Sequence, residues 1–225
     1  MPDPREIVLR DVDPQLTSLV RGLGDRQDQP GRTIIGISGS PGSGKSTLAA
    51  AVAAALGEAA VYLPMDGYHL ADVELRRQGL LGRKGAPETF DAYGYARLLR
   101  DIRAETEHTI YAPNFERTIE QPLAGAIAIL PEHRIVVTEG NYLLVDAAEW
   151  GAVRRQLDEV WHVLADQAVR AERLVARHIL FGKTPEAAAS WIARVDDPNA
   201  VLIESRREWA DRILDLSQWT LNREG

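Results

Sequence analysis

The segment GSPGSGKS, at Gly39–Ser46, constrains this chain more than any other stretch of its sequence. It matches the phosphate-binding pattern G-x-x-x-x-G-K-[ST], in which glycines let the backbone form a tight cradle of inward-pointing N–H groups. Lys45 would add a positive charge for the outer phosphates, and Ser46 would offer a hydroxyl to Mg²⁺. The predicted contacts to a triphosphate come from Gly39, Ser40, Gly42, Ser43, Gly44, Lys45 and Ser46.

The residues on either side of this segment decide whether the match has meaning. Residues 32–38 read RTIIGIS, a short β-branched apolar run typical of a buried strand. Residues 47–56 read TLAAAVAAAL and are followed by Gly57, which is typical of a helix and its end. The alternative, a Ser/Gly linker between two elements, would require neither a strand before the segment nor a helix after it. The strand, loop and helix together predict a nucleoside triphosphate site.

The rest of the chain alternates between predicted strands and helices. Further strands are expected at 59–65, 134–139, 159–165 and 212–216, with shorter extended runs at 109–115 and 126–130. Helices are expected at 14–24, 95–107 and 149–157, from Asp166 through Arg177, at 186–195 and at about 198–210. This alternation predicts an α/β fold with a doubly wound parallel sheet, whose ligands gather at the carboxyl ends of the strands. A chain of 225 residues fits one domain.

Composition excludes several classes of protein. The net charge of −7 argues against a broad nucleic-acid surface, and the lack of cysteine excludes disulfides and thiolate metal sites. The polar start MPDPRE is unlike a signal peptide, and no run approaches the roughly 18 apolar residues that a membrane span needs. We therefore expect a cytoplasmic protein with a small-molecule substrate and neither a nucleic-acid nor a membrane partner.

Two acidic residues follow predicted strands at the edge where the phosphates should lie. Asp66 ends the second strand, where it could orient an attacking hydroxyl or accept its proton, although the Asp66-Gly67 pair is equally typical of a turn. Glu139 ends the strand at 134–139, a position from which a carboxylate can hold Mg²⁺ through water. A solvated strand end is the alternative for Glu139.

Basic and aromatic residues supply candidate phosphate and acceptor contacts. Arg170, Arg173 and Arg177 lie three and four residues apart, so they share one helix face that could close over a transferring phosphoryl group. A solvated surface helix would show the same spacing. The long segment 68–91 holds Arg83 and Lys84, and aromatic residues crowd this region and the one after it. They include Tyr68, Phe90, Tyr93, Tyr95, Tyr111 and Phe115, which could wall an acceptor pocket or pack in the core.

Several segments in combination resemble the phosphoribulokinase/uridine kinase family, which includes bacterial pantothenate kinase. The matching segments are GSPGSGKST, MDGYH at 65–69, RKGAPETFD at 83–91, YAPNFERTIEQP at 111–122, VVTEGNYLL at 136–144 and RAERLVARHILFGKT at 170–184. They cover most of the chain from Thr33 onward. The sequence looks most similar to bacterial members described as nucleoside, pantothenate-like or fructose-transport kinases.

The resemblance implies a P-loop kinase fold with a small helical lid at about 170–196 and an acceptor-binding insert at about 67–122. ATP and Mg²⁺ would be held by the P-loop, including Thr47, with Ser46 and Glu139 at the metal. Asp66 would be the catalytic base, and Lys45, Arg173 and Arg177 would contact the transferred phosphate. The implied acceptor site contains Asp66, Tyr68, His69, Arg83, Lys84, Tyr111 and Phe115. Relatives of this kind are dimeric or tetrameric, so a homodimer is one expected assembly.

The expected activity is transfer of the γ-phosphoryl group of ATP to a hydroxyl of a nucleoside or sugar. Uridine kinases typically carry Asp-Ser-Phe-Tyr where this chain has DGYH at 66–69, and pantothenate kinases are longer at both ends. A pantothenate-like acceptor therefore stays open as an alternative. A nucleotide-sensing ATPase or switch without an acceptor is a second alternative, although the guanine-specific Asn-Lys-x-Asp sequence is absent.

Overall fold

The computed structural model describes residues 14–28 and 30–216. The helices of this part are α1 (Pro14–Gly24), α2 (Lys45–Leu56), α3 (Asp72–Gln78), α4 (Ala92–Ala104), α5 (Ala148–Arg154), α6 (Gln167–Leu180), α7 (Pro185–Trp191) and α8 (Asp197–Glu204). The strands are β1 (Thr33–Gly39), β2 (Ala60–Pro64), β3 (Ile110–Glu116), β4 (Gln121–Ile129), β5 (Ile135–Gly140), β6 (Glu159–Leu164) and β7 (Arg212–Asp215). Over the described ranges, no helix is both long and apolar enough to cross a membrane.

Five of the strands form one parallel sheet in the order β2-β5-β1-β6-β7. Strand β5 is buried along its whole length, and β1 is buried except at its first residue. Strands of this kind read as continuous apolar runs because helices cover both faces of a parallel sheet. The predicted α/β fold with a doubly wound parallel sheet is confirmed.

Successive side chains of β1 enter different cores, one on each face of the sheet. Ile34 packs with α4 and α5, in a core that includes Leu99 and Trp150. Ile35 packs on the opposite face with α1 and α2, in a core that includes Leu48. The sheet is thus held from both sides, and its carboxyl edge is left for loops.

The core under α4 predicts a clear difference between two adjacent leucines. Leu99 is fully buried, whereas Leu98 only packs against the margin of the same core. Leu99→Ala should lower the free energy of unfolding by about 2–5 kcal/mol, because it leaves a cavity. Urea unfolding followed by circular dichroism measures this, with Leu98→Ala as the matched control. Equal losses in the two variants would contradict the placement of the core.

Strands β3 and β4 form a separate antiparallel hairpin outside the main sheet. The register of the hairpin shifts between Ala112 and Asn114, which is typical of a β-bulge. The runs predicted at 109–115 and 126–130 belong to these two strands, and the second strand begins earlier than the sequence indicated. The hairpin therefore extends slightly past the end of the predicted insert at 122.

One helix was not predicted, and several helix boundaries differ from those predicted. Helix α3 was not predicted, because Leu75 is its only buried residue and it has little apolar periodicity. Helix α4 begins earlier, at Ala92, because the Asp91 side chain accepts a hydrogen bond from the Gly94 amide and caps the helix. The helix expected at 198–210 ends at Glu204. A π-helical segment, Ile192–Asp196, joins α7 to α8. Pro198 lies in the first turn of α8, where the missing N–H group of proline is tolerated.

Candidate active site

The P-loop begins at the end of β1 and leads directly into α2. Gly42 and Gly44 have φ values of +80° and +97°, a backbone region that favours glycine, and Gly44 precedes the first turn of α2. The Ser43 hydroxyl is buried and has no hydrogen-bond partner within the described structure. Lys45 is only 8% exposed, and Ser46 is exposed on the same helical turn. This cradle has the form that the sequence predicts for a phosphate site.

The arginine helix α6 lies directly against this loop. A Cβ atom added to Gly42 would come within 2.9 Å of the Arg170 carbonyl oxygen. The Arg170 Nε atom donates to the Pro41 carbonyl at 3.0 Å, and Arg173 reaches the Gly42 and Ser43 carbonyls at 3.4 Å. The arginine face predicted from the spacing is therefore beside the P-loop.

Strand β5 places Glu139 beside both β1 and β2, since its register partners are Ile37 and Pro64. The Glu139 carboxylate accepts a hydrogen bond from the Tyr62 hydroxyl at 3.0 Å. Burial raises the pKa of Glu139, and the charge of Asp66 adds to this effect against that of Lys45. The nearby Ser46 hydroxyl acts to lower the pKa of Glu139. The two predicted metal contacts, Ser46 and Glu139, therefore lie near each other.

Asp66 lies in the 3₁₀ turn Met65–Tyr68 that follows β2. Its Oδ2 atom is 2.9 Å from Nη2 of Arg117, a residue just beyond the end of β3. Burial alone would raise the pKa of Asp66, but the positive charges of His69, Arg117, Lys45 and Arg177 outweigh burial and lower it. Asp66 is therefore a carboxylate at neutral pH, within the electrostatic range of the P-loop lysine.

Lys45 is the only lysine of the P-loop, and it is largely buried. Burial lowers the pKa of Lys45, while Glu139 and Asp66 raise it in part. Burial likewise lowers the pKa of Arg177, which also feels the charges of Arg117 and Asp66. The charges of Arg177 and Asp66 thus act on Lys45, and those of Lys45 and Arg177 act on Asp66. A phosphoryl-transfer site needs charged groups placed close together in this way.

An aromatic and basic surface continues from Asp66 toward the hairpin. The His69 ring lies between Phe90 and Phe115, with ring centroids 4.0 and 4.7 Å away, and its Nδ1 atom is 2.8 Å from the Asp66 carbonyl. Burial lowers the pKa of His69, and the charge of Asp66 acts against this effect. Lys84 lies 5.3 Å from the centre of the Phe115 ring and pairs with Asp72 at 2.6 Å.

Not every predicted acceptor residue joins this group. Tyr68 packs on Tyr95 with ring centroids 5.0 Å apart, at the margin of the core. Arg83 is exposed and pairs with Glu88 at 2.6 Å, and Tyr111 is 65% exposed on the hairpin. None of the contacts described for Arg83 or Tyr111 reaches the Asp66 carboxylate. The structure instead brings together Asp66, His69, Lys84 and Phe115.

Arg117 is the residue of this group that sequence reasoning missed. It belongs to the segment YAPNFERTIEQP, in which only Tyr111 and Phe115 were expected at the acceptor site. One signal was available, because Arg117 follows Phe115 by two residues and alternate residues of an extended strand face the same side. A basic residue two positions after a candidate pocket aromatic is expected on the same face of the strand as that aromatic.

The hairpin packs directly on the turn that carries Asp66. A Cβ atom added to Gly67 would lie 2.4 Å from the carbonyl oxygen of Pro113 in β3. Real Cβ atoms do not approach backbone oxygen so closely, so residue 67 must be glycine for this contact. The Asp66-Gly67 pair is thus a turn and also the junction between β2 and the hairpin.

A cavity of about 370 Å³ lies at the ends of β6 and β7. It is lined by charged and polar residues that include Asp166, Arg170, Glu204 and Arg207. Arg170 also contacts the P-loop, and the Glu204 carboxylate accepts a hydrogen bond from Ser40 in that loop. This cavity is therefore connected to the phosphate cradle from the side opposite Asp66.

No protein-family model matches the chain. A Schizosaccharomyces pombe protein named as a putative uridine kinase is 34% identical over 194 residues, covering 81% of this chain and 83% of that protein. The chain belongs to the phosphoribulokinase/uridine kinase family. A pantothenate kinase of Nocardioides sp. is 31% identical over 128 residues, which is 54% of this chain and 39% of that enzyme.

The family assignment agrees with the solved structures. The crystal structure of a putative fructose transport system kinase from Silicibacter sp. TM1040 superposes with a TM-score of 0.80 at 40% identity, covering 88% of this chain and 98% of that one. The suspected family, the P-loop kinase fold and the expectation of a small-molecule phosphotransferase with an alcohol acceptor are confirmed.

Proposed function

We propose that this kinase transfers the γ-phosphoryl group of ATP, with Mg²⁺, to a hydroxyl of a nucleoside or sugar. One observation carries the proposal: the Asp66 carboxylate lies between the P-loop and the aromatic surface of the hairpin. It is within the electrostatic range of Lys45 on one side and is paired with Arg117 on the other. A base in this position faces both the phosphate to be transferred and the group that would receive it.

The P-loop and α6 would hold the nucleotide. Backbone N–H groups around Gly42 and Gly44 and the Lys45 ammonium would bind the phosphates. The cavity beside Glu204 has the right position for the base of ATP, since it meets the P-loop through Arg170 and Ser40. Guanine recognition would call for a different sequence signal, so the adenine nucleotide is the one we propose.

The acceptor hydroxyl oxygen would attack the γ-phosphorus as the bond to the β,γ-bridging oxygen breaks. Asp66 would accept the hydroxyl proton, and its lowered pKa keeps it ready to do so at neutral pH. Lys45, Arg173 and Arg177 would stabilise the negative charge that develops on the transferred group. Catalysis of this kind depends mainly on positioning and on charge stabilisation.

The donor set near the P-loop fits Mg²⁺. The ion prefers oxygen ligands, and the Ser46 hydroxyl and the Glu139 carboxylate are oxygen donors that lie near each other beside the cradle. Ser46 would bind the ion directly and Glu139 through water. When bound, Mg²⁺ would neutralise phosphate charge and fix the orientation of the triphosphate.

A nucleoside or sugar suits the acceptor side, because an aromatic wall next to polar groups can bind a ring and its hydroxyls. His69 and Phe115 supply the wall, and Lys84 and Arg117 supply hydrogen-bond donors. A pantothenate-like acceptor is the second candidate, since Lys84 and Arg117 could also bind a carboxylate. The homodimer expected from the family resemblance stays a prediction.

Measuring ADP release against a panel of acceptors tests this proposal. The panel contains nucleosides, hexoses including fructose, pantothenate and a reaction without acceptor, with Lys45→Met as the control for contaminating kinases. We expect one nucleoside or sugar to raise ADP release well above the reaction without acceptor. Stimulation by pantothenate alone would favour the second candidate. ADP release that no acceptor raises would favour a nucleotide-sensing ATPase.

A further inference from the structure

The guanidinium of Arg117 joins three parts of the site. Its Nη2 atom is 2.9 Å from Oδ2 of Asp66, in the turn after β2. Its Cζ atom is 5.7 Å from the centre of the Phe115 ring in the hairpin and 6.0 Å from that of Phe181, at the end of α6. The turn, the hairpin and the arginine helix therefore meet at one side chain.

We propose that Arg117 is a positioning residue, which orients the Asp66 carboxylate toward the acceptor and balances its charge. This inference rests on the proposed role of Asp66 as the base. Arginine suits the position because its planar group can donate to a carboxylate while its faces contact aromatic rings. The guanidinium lies within cation–π distance of both rings while it is paired with the carboxylate, so these contacts together would limit its movement.

The surroundings of Asp66 explain why such a partner is needed. The other titratable groups that act on this carboxylate, from every element packed around it, are Tyr62, His69, Glu139, Tyr142, Lys45 and Arg177. Of the cations, Lys45 and Arg177 would be engaged by phosphate once a nucleotide is bound. Arg117 forms the direct ion pair, on the acceptor side, so its charge would remain available to Asp66 in that state.

An Asp66 carboxylate without this partner would lose both its charge balance and its orientation. An opposite charge in direct contact lowers a carboxyl pKa by about one unit or more, so its removal should let the pKa rise. Loss of orientation should lower kcat, since small displacements of a catalytic group have large effects on rate. The two consequences can be separated because Arg117→Lys keeps the positive charge but lacks the planar guanidinium group.

The experiment compares the wild type with Arg117→Gln and Arg117→Lys. The Asp66 carboxyl is titrated in the nucleotide-free protein by ¹³C NMR of labelled aspartate, with its resonance assigned from Asp66→Asn. We expect Arg117→Gln to raise the apparent pKa of Asp66 by about one pH unit and Arg117→Lys to leave it low. Arg77→Gln is the matched control, because Arg77 is an exposed arginine paired with Glu74 on α3.

Kinetics supply the second measurement once an acceptor is known. Activity needs the ionised form of Asp66, so the acid limb of the kcat/KM profile follows its pKa and should move to higher pH in Arg117→Gln. Arg117→Lys should keep the acid limb near that of the wild type while kcat falls about tenfold or more. ATP affinity should change by less than about threefold in both variants.

Different results would overturn different statements. An Asp66 titration that is the same in Arg117→Gln and the wild type would overturn the positioning role, and so would a lowered kcat in Arg117→Gln with no movement of its acid limb. If the titration moves as expected but no acceptor is phosphorylated, the ion pair stands and the proposed kinase function fails. Thermal melting of each variant shows whether it is folded, and Arg117→Lys keeps the test available should Arg117→Gln unfold.

Discussion

Replacing Asp66 with asparagine should lower kcat about 100- to 10,000-fold, because the amide keeps the shape of the side chain but cannot accept the proton. ATP affinity should stay within about threefold of the wild type, since the P-loop and not Asp66 would hold the phosphates. ADP release with the acceptor found in the panel measures the first quantity, and isothermal titration calorimetry measures the second.

The control for this variant is Asp101→Asn, which changes an exposed aspartate on α4 beside Arg100. It should have the turnover of the wild type. Turnover of Asp66→Asn within a few-fold of the wild type would remove Asp66 from the role of base. In that case Asp66 would be a structural partner of Arg117.

Replacing Lys45 with methionine should weaken ATP binding about 10- to 100-fold, as expected for the loss of a charged hydrogen bond to phosphate. Catalysis should fall as well, because Lys45 would also stabilise charge on the transferred group. The fold should tolerate the change, since Lys45 is only 8% exposed and methionine fills a similar volume without a buried charge.

Arg76→Met is the companion variant, which removes an exposed cation from α3. It should bind ATP like the wild type in calorimetry, and circular dichroism should show that both variants are folded. If Lys45→Met binds ATP normally, the assignment of Gly39–Ser46 to the phosphates is incorrect, however well the sequence pattern matches.

The part of the site that lies on the main sheet could be predicted from the sequence. Glycine spacing fixed Lys45, and the end of an apolar strand fixed Glu139, because parallel strands bring their carboxyl ends to one edge. Asp66 was placed correctly for the same reason, although its role could not be separated from that of a turn residue. The local sequence pattern was sufficient for residues that lie in the glycine-rich loop or at the ends of apolar strands.

The acceptor side could not be predicted in the same way, since it depends on contacts between segments far apart in sequence. Arg117 meets Asp66 because the hairpin folds back on the turn after β2, and the spacing of Arg117 from Phe115 does not indicate this contact. Arg83 and Lys84 are neighbours, yet Lys84 approaches Phe115 while Arg83 turns outward to Glu88. Short-range pattern cannot tell which of two adjacent basic residues faces a pocket.

The close contact between Gly67 and Pro113 has a consequence for how relatives of this enzyme can diverge. The turn that carries Asp66, the proposed base, and the hairpin, which would bind the acceptor, are joined through backbone atoms. Side chains of β3 and β4 other than Phe115, which lies beside Arg117, could therefore be exchanged without displacing Asp66. A lineage of kinases built in this way would change its acceptor by substitution on one hairpin while the residues proposed for phosphoryl transfer are inherited intact.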